Sequence, residues 1–232
     1  MFYGGLMGYY FDPTWILVII GAVLSMAASA KVNSTFSKYS KVRSMTGMTG
    51  EDAAKRLLNS QGIYDVTVRP VKGQLTDHYD PRTESVFHST SVAAIGVAAH
   101  ECGHAMQDNV GYVPLKLRGA IVPVANIGSQ AAFPLIIIGV LIGGMGSPLV
   151  NIGLILFSLA VIFQLITLPV ELNASRRAIT LLDQVGILGG QEVNQTRKVL
   201  GAAALTYVAA LAASVLQLLR LVILFGGRRD ND

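Results

Sequence analysis

Hydrophobic and polar residues fall in long blocks along this chain. Apolar runs occupy 11–30, 121–146, 148–170 and 202–225, and a mixed polar stretch fills 31–118. Each apolar run approaches the ~20 residues that carry a helix across a bilayer's hydrocarbon core. The pattern predicts three to four membrane-spanning helices. The run at 121–146 is interrupted by Asn126, Ser129, Gln130 and Pro134. The run at 202–225 contains Gln217 and Arg220, so it either spans with the arginine reaching the interface or lies partly within it.

Inside 31–118 the periodicity changes. Thr49-Gly50-Glu51-Asp52 resembles a capped helix start, with the helix running to about Asn59 and Gly62 as its stop. Val66, Val68 and Val71 alternate with polar residues, and a short strand is expected over Glu84 to His88 after the Asp80-Pro81 turn. Such a strand either offers an edge to an extended peptide or packs as an ordinary hairpin. A helix follows from about Thr90 to Asn109. Its small residues Ala93, Ala94, Gly96, Ala98 and Ala99 allow close packing. The expected architecture is mainly α: a polytopic helical membrane protein with a small α+β domain at the membrane surface.

Charge orients this layout. Only 14% of residues are charged, against about 25% in an ordinary soluble domain. Ala28-Ser29-Ala30 resembles a signal-peptidase site, but none of the first fourteen residues is Lys or Arg. The basic residues Lys31, Lys38, Lys41 and Arg43 come after the first apolar run, the layout of an uncleaved anchor with its N-terminus outside. Eleven of the 18 Lys and Arg lie between Lys31 and Arg118, and four between Arg176 and Lys198. The turn Gly143 to Pro148 has none. The positive-inside rule therefore places 31–118 and 171–200 in the cytoplasm and that turn outside, in a multi-pass plasma-membrane protein. Arg228 and Arg229 fall outside if 202–225 spans, which counts mildly against a fourth span. The net charge of +4 reflects this topology and gives no argument for nucleic acid. A single cysteine excludes an internal disulfide and fits a reducing compartment.

The chemistry is concentrated in His100-Glu101-Cys102-Gly103-His104. Histidines at i and i+4 share one helical face, so both imidazoles can converge on one metal ion. The glutamate beside the first histidine can reach a water at that metal. The competing interpretation is two histidines hydrogen-bonded within a core. Cys102 points away from the histidine face and is assigned to packing. Two histidines leave a zinc site incomplete, since a catalytic zinc generally takes three protein ligands. A third histidine six residues past the second is absent, because that position is Val110. Glu171 is the better-placed acid: it follows Pro169, which suits a helix start, and the hairpin of spans returns it to the side of His100 and His104. Glu192 is the runner-up, and the competing interpretation of Glu171 is a snorkelling acid or an ion-pair partner of Arg176 or Arg177.

These residues also carry a family resemblance. The chain resembles the YugP-type bacterial membrane zinc metallopeptidases through Phe11-Asp12-Pro13, Lys38-Tyr39-Ser40-Lys41, Asp77-His78-Tyr79-Asp80-Pro81 and Val97-Ala98-Ala99-His100-Glu101. Leu168-Pro169-Val170-Glu171-Leu172-Asn173-Ala174-Ser175-Arg176-Arg177 and Ala203-Ala204-Leu205-Thr206-Tyr207 extend it over nearly the whole length. The layout is similar to the wider gluzincins of the HtpX and CAAX-protease type, with a zinc helix, a transmembrane hairpin, then a glutamate ligand followed four residues later by an aspartate. The resemblance implies zinc on His100, His104 and Glu171, with Glu101 as general base. Ser175 stands where those proteins have the aspartate, which leaves the outer support of the histidines unassigned.

The function expected is a zinc-dependent endopeptidase acting on peptides or membrane proteins, with the bilayer as its other partner. Arg176, Arg177, His78 and His88 are all candidates for oxyanion stabilisation, and no signal for an oligomeric state is present. The alternative is a membrane protein that binds, senses or transports zinc without hydrolysis. Only Glu101 separates the two, since a binding site needs no base beside the metal.

Overall fold

A computed structural model describes residues 12–66 and 88–226. Six helices are named here: α1 Trp15–Tyr39, α2 Gly50–Ser60, α3 Val92–Asn109, α4 Val113–Gly143, α5 Pro148–Gln184 and α6 Gly190–Phe225. The four long ones, α1, α4, α5 and α6, are each long and apolar enough to cross a membrane. At 1.5 Å per residue, α5 and α6 are on the order of 55 Å long, well beyond a ~30 Å hydrocarbon core. Helices of that length can cross and still extend past the membrane.

The described residues divide into two compact units, one of 12–28, 118–166 and 207–226, the other of 29–66, 88–117 and 167–206. In the first unit, large apolar side chains such as Ile16, Ile19, Val23, Ile137, Leu141 and Ile223 are exposed. Contiguous apolar surface of this kind suits a lipid environment. Arg220, the charged residue within the 202–225 run, has partners. Its Nη2 donates to Asp12 Oδ2 at 3.1 Å, and its guanidinium lies 4.4 Å from the Trp15 ring. Asp12 is further held by the Thr14 amide and hydroxyl. An arginine paired in this way can stay within a span.

The second unit is built around α2 and α3. The capped start at Thr49 is present: its hydroxyl accepts from the Asp52 amide, and Asp52 accepts from the Thr49 amide in return. The apolar face of α2 (Ala53, Ala54, Leu57, Leu58) packs with Ile95, Ala99 and Cys102 of α3 and with Leu181, Leu182, Ile187 and Leu188. Ser91 caps α3 by accepting from the Ala94 amide. At the far end Gly111 takes a left-handed φ of 63°, and the Tyr112 amide reaches back to the Gln107 carbonyl at 2.8 Å.

Two expectations change here. The small domain is helical among the described residues, where one isolated bridge, Arg43 to Ser91, replaces a sheet. Ser91 of the bridge is itself the cap of α3, and Arg43 is followed by a turn at 45–46, which leaves no length for a ladder. The expected strands over Val66 to Val71 and Glu84 to His88 lie almost wholly within 67–87, outside the described residues, as does His78; Val66 and His88 are in no strand. Pro169 is the second correction. It starts no helix, because α5 runs unbroken through it. A proline within a long apolar helix is tolerated where neighbouring structure supports the freed carbonyl.

Candidate metal centre

α3 carries the histidines and α5 carries the acid. The two helices approach closely because position 103 has no side chain: a Cβ there would lie 2.5 Å from the Ala174 carbonyl oxygen. Gly96, two turns earlier, faces Thr196 of α6 in the same way, with 2.8 Å to its methyl group. The small residues of the helix thus bring its backbone against two neighbours.

The closeness places Glu171 over the histidine face. Glu171 Oε2 lies 3.1 Å from His100 Nε2 and 3.6 Å from His104 Nε2. The ligand atoms of all three residues fall within 4.8 Å of one another. Donors bonded at 2.0–2.1 Å in a tetrahedral zinc site are separated by about 3.3–3.4 Å, a value the two distances bracket. Two imidazole nitrogens and a carboxylate oxygen are also the donor types zinc favours. The residues fit a single zinc ion and are positioned to hold it. The Glu171 side chain is only 3% exposed, against 15% and 21% for the two imidazoles, so the acid forms the floor and the histidines the rim.

The remaining ring nitrogens are engaged. His100 Nδ1 lies 3.0 Å from Ser175 Oγ, and His104 Nδ1 lies 3.0 Å from Gln107 Oε1. Gln107 is fully buried, and its Nε2 donates to the Val170 carbonyl at 2.8 Å and to Asn173 Oδ1 at 3.0 Å. With both amide hydrogens spent on acceptors, Gln107 Oε1 must accept, so His104 Nδ1 carries a proton and Nε2 is free for metal. Ser175 occupies the place where the resembled proteins have an aspartate and still reaches His100. Burial pushes the His104 imidazole towards its neutral form, but the Glu171 carboxylate outweighs this and holds its pKa above the usual histidine value. A metal arriving at His104 therefore competes with a proton.

The other candidates separate cleanly. Glu101 is exposed beside His100. Cys102 is buried against α2, its Sγ 3.6 Å from the Ala54 carbonyl, and burial first, then the Glu101 charge, pushes its thiol up to about 12. It is packing, as expected. Glu192 is occupied elsewhere: its carboxylate accepts from the Met45 amide at 2.7 Å and the Gly189 amide at 3.0 Å, capping α6. Arg177 donates to Asn173 Oδ1 at 2.8 Å, while Arg176 and His88 are exposed. Gln107 escaped the sequence reading, although its i+3 spacing from His104 was a usable signal.

Comparison with known proteins points to zinc as the metal. Residues 14–226 match the family model described as "Putative neutral zinc metallopeptidase". The chain is 48% identical over 222 residues to the "Putative membrane protease YugP" of Bacillus subtilis, covering 93% of this chain and 98% of that protein. No solved structure matches the chain.

Proposed function

The chain belongs to the neutral zinc metallopeptidase family, and on that premise we propose that it is a membrane endopeptidase with His100, His104 and Glu171 as its zinc ligands and Glu101 as its general base. The observation that carries this reading is the convergence of the three donor atoms on one point, with both histidines locked to present Nε2. When bound, zinc supplies Lewis-acid chemistry, acidifying water and polarising a peptide carbonyl. The Glu101 carboxylate takes the proton from the attacking water and hands it to the leaving amine nitrogen. Gln107 keeps the His104 imidazole in one tautomer, and Ser175 helps orient the His100 ring. Glu101 is exposed, so proton exchange with solvent after each turnover is unobstructed.

The placement proposed is a multi-pass plasma-membrane protein whose site faces the cytoplasm, with the bilayer and a peptide or membrane-embedded protein as partners. The basic residues flanking the spans support the orientation. Glu171 directly follows the apolar run of α5, so the site sits near the headgroups and suits substrates that lie in or on the membrane.

The test uses purified full-length protein in detergent and a casein-type or membrane-protein substrate. Glu101→Gln should keep one zinc per chain yet lose hydrolysis by about 10²-fold or more. Unchanged turnover would shift the assignment to a zinc-binding or transport protein.

A further inference from the structure

A second feature of α5 and α6 lies on the outer side of Ser175. The two helices enclose an open cavity of about 310 Å³ lined by Ser175, Arg176, Arg197, Leu172, Leu200 and Gly201, among others. Among the described residues no acidic side chain lines it, so none of them compensates the two guanidinium groups within the cavity. Arg197 makes one hydrogen bond, to the neutral Asn194 Oδ1 at 3.1 Å, and both arginines are exposed. Leu172 and Leu200 give one wall an apolar character, and a side chain added at Gly201 would meet open space.

From this combination we propose that the cavity binds the phosphodiester headgroup of an anionic phospholipid, with Arg176 and Arg197 on the phosphate and the glycerol end against Leu172 and Leu200. Planar guanidinium forks match phosphate oxygens in a way that single ammonium groups do not. The depth is right for a lipid: the apolar run of α5 ends at Val170 and that of α6 begins at Ala202, so 172–180 and 197–204 lie where both helices leave the hydrocarbon. The volume is at the lower end for ligand pockets, which suits a headgroup and is too small for a folded peptide segment. Because Ser175 also holds His100, the bound headgroup adjoins the support of one histidine. The inference rests on the membrane placement proposed above and is independent of whether the metal centre hydrolyses peptides.

The experiment measures retention of labelled dioctanoyl phosphatidylglycerol on the full chain in mixed micelles, with dioctanoyl phosphatidylcholine and inorganic phosphate as competitors. Retention should saturate near one lipid per chain. It should fall roughly tenfold or more in Arg176→Gln/Arg197→Gln, since each basic group at an anionic membrane surface contributes substantially. Gly201→Leu fills the cavity without removing charge and should have the same effect, whereas Arg56→Gln, an exposed position of α2, should have none. Zinc content at one per chain verifies that each variant is folded, and Arg197→Gln alone serves if the double variant is not. Retention unaffected by both the arginine and the Gly201 changes would overturn the proposal. So would equal competition by inorganic phosphate, which would assign the cavity to a free anion. Loss of proteolysis with lipid retention intact would count against the peptidase reading alone.

Discussion

At the scale of single residues, Gln107 links the two helices of the metal centre. Its amide orientation is dictated by two acceptors, Val170 O and Asn173 Oδ1, and that orientation fixes which His104 nitrogen points inward. Replacing it by leucine keeps the volume but leaves His104 Nδ1–H and the Val170 carbonyl without this partner. Gln107→Leu should weaken zinc binding about 10- to 100-fold, and Ser175→Ala should weaken it through His100 by a similar route. Competition with a zinc-chelating dye measures both; affinities equal to wild type would mean that the histidines need no outer support. The convergence of His100 and His104 on one face was legible from helical spacing alone. Ser175 was visible only as a departure, because its partner sits 75 residues earlier in the chain and reaches it through tertiary packing.

At the scale of elements, the contact of α3 with α5 depends on Gly103. An added methyl group would meet backbone at 2.5 Å, which no side-chain rotation can relieve. Gly103→Ala should therefore lower stability by about 1–3 kcal/mol through overpacking and also reduce zinc affinity. A thermal melt with and without chelator checks it, and unchanged melting in both conditions would show that the helices have room to separate. Glu192 works at the start of α6, where its carboxylate satisfies two amides. Glu192→Ala should cost about 1–3 kcal/mol in stability while zinc stays at one per chain. Helices α2 and α3 were readable because capping residues and small-residue faces are local signals. The break assigned to Pro169 was not a reliable signal, since a proline's missing amide ends a helix only where nothing else supports it. The β component was inferred from valine alternation within 66–71, most of which lies outside the described residues.

At the scale of the whole molecule, the Asp12–Arg220 pair bears on the number of spans. Asp12 precedes α1 and Arg220 lies near the C-terminal end of α6, so their contact brings those two ends together. That is the outcome for four spans. With the basic flanks inside, as proposed, cysteine labelling should protect position 72 and label position 145 from outside. External labelling at 72 with protection at 145 would invert the topology and remove the cytoplasmic assignment. The apolar blocks made the four candidate spans legible from the sequence. What composition could not supply was the partner of Arg220, because a buried arginine and an interfacial one look the same until Asp12 and Trp15 are placed beside it.

The central claim is that Glu171 completes a zinc site with His100 and His104, and elemental analysis of purified protein tests it most directly. Wild type and Glu192→Ala should each carry about one zinc per chain, while Glu171→Ala, dialysed against the same weak chelator, should lose most of it. Full zinc in Glu171→Ala, or loss of zinc in a folded Glu192→Ala, would contradict the account.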